Sequence, residues 1–432
     1  MKLADTIRAA WAEPELRQRI LFVFAMFGVY AVGLHVQVPV PGYSPQEVLA
    51  KLTGSGGLLD MLNMFTGGAL RRLSIFALGL NPYITASIIM QLMTIAIPSL
   101  KKEQMEGGQY ERMKRAQRTR ALTIVLCVFQ GLGFIQMLTG GLPLAPLAKV
   151  MIIVFWMAGA MMVLWLGEQI QEKGIGQGVS LMIFAGIVIS FPLQIERLAK
   201  DEFIQIWQIL LLAAIFIGVT AMIVFFTQAQ RRITIQHMRR NFGSKMLGGG
   251  SSFLPIPVNA AGVIPIIFAI SLLYMPQTFA SFAPGTEWAV FWTNVGSFFS
   301  PNPQTAFWYH WVSGSLVYAG LIFFFTYFYT AIQFNVEDIA AHLKRSGAYI
   351  PGVRQGKQTE EFLDQVISRI TVVGALFLAF VSLIPFYVPS ITQINSQTFN
   401  LVGGTSLLII VSVVLDLMRQ VEANLIMRGY NK

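Results

Sequence analysis

The residue types that do chemistry are few in this chain, and their spacing does not assemble a reaction centre. The four histidines, His35, His237, His310 and His342, are scattered through the 432 residues. No His-Glu-x-x-His pair offers a metal site, and no Gly-rich loop ending in Lys-Ser/Thr offers a phosphate cradle. The lone Cys127 can form neither an internal disulfide nor a cysteine metal cluster. Thr371–Leu415, Phe203–Gln230 and Met246–Thr286 contain no ionisable side chain other than tyrosine, whereas ion-coupled transporters place acidic, basic or His residues in mid-membrane. An enzyme is not expected, no cofactor or metal is implied, and the energy for any vectorial work must come from outside the chain. What remains is a small polar set, Thr85, Gln130 and Asn259, each inside an apolar stretch. Buried polar groups in lipid hydrogen-bond across helices for about 0.6–2 kcal/mol each, which suits a seam that opens reversibly.

The elements that must position these residues are membrane helices. The chain is 55% hydrophobic and only 12% charged, about half the charge of a soluble domain. Spanning the hydrocarbon core takes about 20 apolar residues. Ten candidate spans fall near 20–38, 73–97, 121–138, 150–167, 179–195, 206–228, 257–281, 311–333, 370–388 and 401–418. With the N-terminus inside, 25 of the 31 Lys and Arg fall on inward segments and 6 on outward ones, and Lys- and Arg-rich loops stay cytoplasmic. Both termini are therefore expected in the cytoplasm. Continuous apolar runs without alternation exclude a barrel. Residues 1–19 are polar and the first apolar run is long enough to span, so no cleavable signal is evident.

Five spans precede the short polar connection Glu196–Glu202 and five follow it. The expected fold is all-α and polytopic, with halves 1–195 and 196–432 in opposite orientation, an arrangement that places a pathway between repeats. Three inward loops, 98–120, 229–256 and 334–369, exceed twenty residues, where a helix connection ordinarily needs about 2–8. Their basic charge suits anionic lipid headgroups, and their length suits a large acidic partner, either a nucleic-acid-bearing machine or an acidic protein motor. The segment between Gly56-Gly57 and Gly67-Gly68 is too short to cross a membrane and contains Asp60. It is either an amphipathic helix on the outer surface or a re-entrant half-helix lining a cavity, the one setting in which such backbone is tolerated. Asn81-Pro82 and Pro265 are read as interruptions of the second and seventh spans, and Gly403-Gly404 as the opening of the tenth.

Several longer motifs carry a resemblance: Ile75–Ile84 (IFALGLNPYI), Trp165–Ile170 followed by Gly174–Gly178, Ala261–Pro265, Ser346–Arg354 and Gly403–Ile409. In order along the whole chain, they resemble the SecY family, channel-forming subunits of the bacterial Sec translocon. The resemblance implies a passive protein-conducting channel in the cytoplasmic membrane, with a constriction ring at Leu80, Ile84, Ile183, Ile267 and Ile409. It implies a plug over 57–67, with Leu58, Leu59, Asp60, Met61, Leu62, Asn63, Met64 and Phe65 at its centre. It also implies a lateral gate joining spans two and three to seven and eight, where Thr85, Gln130 and Asn259 lie. Implied partners are the membrane subunits SecE and SecG, the SecA ATPase, the ribosome, signal-peptide-bearing polypeptides and anionic lipids. Docking of the motor or ribosome would use Arg231, Arg232, Arg239, Arg240, Lys344, Arg345, Arg354 and Lys357. Two other readings of the residues stand beside this one. A small-solute secondary transporter would suit the inverted halves, and a structural scaffold would leave the short segment unexplained.

Overall fold

The computed structural model describes residues 8–9, 11–39, 66–70, 72–100, 103, 108–139, 145–200, 205–237, 240–242, 245–247, 251–281, 286–299, 301, 308–392 and 404–429. Among them, twelve principal helices run α1 (Pro14–Gly33), α2 (Asn81–Ala96), α3 (Gln109–Thr139), α4 (Pro146–Lys173), α5 (Gly178–Lys200), α6 (Ile206–Gln228), α7 (Ile264–Ser281), α8 (Glu287–Phe299), α9 (Trp308–Gln333), α10 (Val336–Arg345), α11 (Lys357–Thr392) and α12 (Gly404–Gly429). A helix occupies each of the ten expected spans. Six helices, α1, α3, α4, α6, α9 and α11, are long and apolar enough among the described residues to cross a membrane. The expected helical membrane fold is borne out. Among its additions is a β-ribbon in the loop after α6.

That ribbon consists of β1 (Gln230–His237) and β4 (Ser251–Pro257), antiparallel from Gln230↔Pro257 to Gln236↔Ser251, with a small hairpin of β2 (Arg240–Phe242) and β3 (Lys245–Leu247) between them. A third strand, β5 (Ala348–Tyr349), adds to β1 through Gln236↔Tyr349 and His237↔Ala348. Ile233 and Ile235 are buried while Arg231, Arg232 and Thr234 are exposed, the period-2 pattern of a half-buried strand.

Two spans start later than hydropathy suggests. Over residues 72–80 the chain forms turns, and helix begins only at Asn81, with Pro82 in the first turn. Proline lacks the N–H that the first turn leaves unused, so it starts a helix readily. Pro82 therefore opens α2 instead of interrupting it, and Pro265 does the same in α7. The turn segment is tied to the end of α1 by Val38 N–H to Leu73 O at 2.8 Å and Ile75 N–H to Val36 O at 3.0 Å. Nearly all of residues 73–80 are buried, as non-helical backbone at membrane depth must be.

The helices pack in two groups. α1 to α5 contact one another through α2–α3, α3–α4, α4–α5, α1–α4 and α1–α5. In the rest of the chain the contacts run α7–α9, α9–α11, α11–α12, α6–α12 and α6–α11. The groups meet along two seams, α7 against α2 and α3, and α12 against α5. Small residues set the tightest approaches. A Cβ on Gly178 would lie 1.7 Å from the Gly167 carbonyl oxygen, and one on Gly159 would lie 2.1 Å from that of Ile75.

Candidate pore constriction and docking face

Leu80 ends the turn segment, and the Ile84 N–H donates to its carbonyl at 2.9 Å. This spacing of four puts both side chains on one face at the start of α2. Ile183 lies in the second turn of α5, and Ile267 in the first turn of α7. All four line one cavity of about 30 Å³, together with Tyr30, Thr66, Val163, Met182 and Ile270. That is room for roughly one or two waters, inside walls that are mostly apolar. Leu80, Ile84 and Ile183 are 7–9% exposed. Ile409, on α12, belongs to the same apolar core but does not line the cavity. Aliphatic side chains from both helix groups thus converge on one small space.

Tyr30, Val163, Met182 and Ile270 are contributors that the sequence reading did not single out. Tyr30 stacks on Phe76 with centroids 5.6 Å apart, and its hydroxyl donates to the Thr66 carbonyl at 3.3 Å. Thr66 lies inside the expected plug, 57–67, just past its centre. The next residue, Gly67, has φ of 70°, and a Cβ there would come within 3.3 Å of the Gly186 backbone in α5. Residues 66–70 are thus packed into the first helix group. Leu58 to Phe65, the centre of the expected plug, lie outside the described residues.

The three polar residues are not joined by a hydrogen bond. Thr85 donates within its own helix, to the Asn81 carbonyl at 3.0 Å. Among the described residues the buried Gln130 Oε1 has no hydrogen-bond partner, and neither does either amide atom of Asn259. Asn259 is in the link between β4 and α7, not on the seventh span as expected, because that helix starts only at Ile264. Its side chain is among those lining a larger cavity of about 230 Å³, with Gln177, Ser180, Asp416 and Arg419. Beside Gln130, Phe129 meets Phe279 edge-on with centroids 5.7 Å apart, directly across the α3–α7 seam.

At the end of the molecule bearing β1 and β4, two of the long loops form one platform. The pairing of β1 with β5 joins 229–256 to 334–369, and Tyr349 Oη donates to Gln236 Oε1 at 2.9 Å. Beneath lies an apolar cluster of Ile233, Ile256, Ile350, Leu363 and Ile367. α11 is 36 residues long, about 54 Å, so it rises well past a 30 Å hydrocarbon core and carries the platform above it. Arg231, Arg232, Lys344, Arg345, Arg354 and Lys357 are exposed on this platform. Arg354 lies on a turn between Gly352 (φ 82°) and Gly356 (φ 99°). Its carbonyl accepts from Thr359 Oγ1 at 2.9 Å, and its neighbour Gln355 donates to the Ala348 carbonyl at 3.1 Å. Arg239 lies outside the described residues, and Arg240 is placed only as backbone in β2. Among the described residues no group of three or more His, Cys, Asp and Glu could hold a metal ion.

A sequence profile of the SecY family matches residues 74–418. The protein translocase subunit SecY of Escherichia coli (strain K12) is 40% identical over 433 residues, covering 96% of this chain and 93% of that protein. A solved structure described as that of a protein conducting channel superposes with a TM-score of 0.67 at 18% identity, covering 94% of this chain and 91% of that one. Sec61 in the canine ribosome–channel complex from the endoplasmic reticulum superposes at 0.63 with 17% identity and the same coverage. Both structural likenesses concern the fold.

Proposed function

The chain belongs to the SecY family, and from that premise we infer that it is a protein-conducting channel, passing unfolded secretory polypeptides across the membrane and releasing membrane-protein segments sideways into lipid. One observation carries the reading. Leu80, Ile84, Ile183 and Ile267 converge from both helix groups on one narrow apolar cavity. An apolar constriction blocks ions by dewetting, yet aliphatic side chains can part around a chain threaded between them. A small-solute transporter finds no support, since the pathway lacks the mid-membrane charges that such coupling uses.

The remaining assignments belong to this reading. The ring includes Ile409, and the plug is residues 57–67, hinged on the packed turn at Thr66–Leu70. Ten spans cross the cytoplasmic membrane in two inverted halves, 1–195 and 196–432. The α2/α3–α7 seam, containing Thr85 and Gln130 with Asn259 near its inner end, is the lateral gate. No step of chemistry is carried out by the chain itself. The basic platform faces the cytoplasm and receives SecA or the ribosome, whose acidic surfaces match its charge, while SecE and SecG complete the assembly in the membrane. The platform's outer cations also attract anionic lipid headgroups.

A stalled translocation intermediate tests the reading. A secretory polypeptide with one cysteine, arrested mid-passage, should form a disulfide with Ile183→Cys or Ile267→Cys in a Cys127→Ala background. It should not do so with Leu316→Cys, a position 68% exposed on the outside of α9. Equal cross-linking at Leu316 would remove the constriction from the path of the polypeptide.

A further inference from the structure

Between α7 and α9, where the sequence reading expects a loop, α8 forms a 13-residue helix, about 20 Å long and too short to span. At about 100° per residue, its side chains sort into three arcs. Ala289, Trp292, Gly296 and Phe299 face the protein. Trp288, Phe291 and Phe298 form an apolar stripe on the exposed side, at 52%, 58% and 43% exposure. Glu287, Thr293, Asn294 and Ser297 form a polar arc, interrupted by Val290.

A helix with one face on protein, one apolar face exposed and one polar face is built for an interface between oil and water. Its position agrees. Trp288 Nε1 donates to the Phe279 carbonyl in the last turns of α7 at 3.2 Å, which fixes α8 at the end of that helix opposite the basic platform. On α3, Val125, Val128, Phe129 and Leu132 are also exposed, an apolar stripe at helical spacing. Phe279 touches both Phe129 of that stripe and Trp292 of α8. Trp and other aromatics are the residues that settle at the headgroup boundary.

We propose that α8 lies in the outer bilayer interface, with Trp288, Phe291 and Phe298 in lipid, and that it tethers the outer end of the α3–α7 seam to the membrane surface. The tether runs through Trp292, which packs on Phe279 with centroids 4.8 Å apart, and Phe279 in turn meets Phe129 of α3. The lipid contact stands on geometry alone; the tether rests on reading that seam as the lateral gate. Lipid is the occupant, not a second copy or a small membrane subunit, because a polar arc beside a Trp- and Phe-rich apolar stripe on one short helix fits the headgroup boundary.

Nitroxide labels on Phe291→Cys and Asn294→Cys, in a Cys127→Ala background of the assembled channel in vesicles, test the contact. The label at 291 should collide preferentially with oxygen and the label at 294 with a water-soluble nickel chelate. Preference for nickel at 291, or an immobilised label there shielded from both, would overturn the lipid contact, the latter because protein covers the face. For the tether, Trp292→Ala should raise export of a weakly hydrophobic signal sequence several-fold while export of a strong one stays unchanged. Unaltered export of the weak signal would overturn the tether. Neither result depends on where the stalled polypeptide cross-links, so a failure of the channel reading would be seen separately.

Discussion

At the scale of single residues, function rests on side chains whose types are unremarked in a membrane protein. An isoleucine in mid-span is ordinary, and nothing in hydropathy separates Ile183 or Ile267 from their neighbours. Only family resemblance picked them out, and the structure brings four of the five to one cavity. Replacing Ile183 and Ile267 together by Asn should wet that cavity and let small ions through the resting channel. Conductance of planar bilayers holding the assembled double variant checks this, with current above wild type expected before any polypeptide is added. Arg354 presents the opposite case, an exposed cation among 31 Lys and Arg, set apart by its mounting. Two left-handed glycines and two side-chain-to-backbone hydrogen bonds fix its turn. A fixed guanidinium offers a planar fork of donors that an ammonium lacks. Arg354→Glu should leave channel abundance intact and abolish motor-driven export in reconstituted vesicles, while Arg354→Lys should keep part of the rate. Export at the wild-type rate with Arg354→Glu would remove this residue from the docking face.

At the scale of elements, helices were legible where apolar length was the whole signal, as in α4 and α6, and misread where hydrogen bonding decided. Residues 73–80 are as apolar as a helix, but their backbone is spent on turns and on pairing with Val36–Val38, which hydropathy does not register. Pro82 and Pro265 carried the information, since proline marks a helix start as readily as a kink. The ribbon also had a signal, the alternation in Arg232-Ile233-Thr234-Ile235, overlooked because the loop was read by charge. Its union with β5 was not legible, for Gln236 and Tyr349 lie 113 residues apart. α8 was missed for a related reason, because its apolar residues are divided between two faces. Glycine placement gives a direct test at this scale. Gly178→Ala would drive a methyl into the Gly167 carbonyl where α4 meets α5, whereas Gly218→Ala in α6 meets nothing within 4 Å. Overpacking of this kind costs roughly 1–3 kcal/mol. The Gly178 variant should therefore melt several degrees lower in detergent, and the Gly218 variant should match or exceed wild type, since alanine favours helix.

For the whole molecule, the two seams between helix groups differ in what holds them. Near the α12–α5 seam, Leu16, Ile175 and Val421 form an apolar cluster with Leu417 and Leu425, where separation would expose apolar surface. On the α7 side, among the described residues, the buried Gln130 Oε1 of α3 and both amide atoms of Asn259, in the link leading into α7, have no hydrogen-bond partner. A buried amide without a partner costs about 1–3 kcal/mol, and opening the seam to a polar segment or water would recover part of that cost. On the proposed reading the molecule parts at α3–α7 and pivots at α5–α12. The Phe129–Phe279 contact spans the seam that this reading opens. Cysteines at both positions, in a Cys127→Ala background, joined by a short cleavable bis-maleimide, should stop export and insertion of membrane segments. Either single cysteine treated alike should work normally, and cleavage of the linker should restore most of the rate. Export continuing at the uncross-linked rate through a fully linked population would mean that the seam need not open, and that polypeptide passes between the groups without their separation.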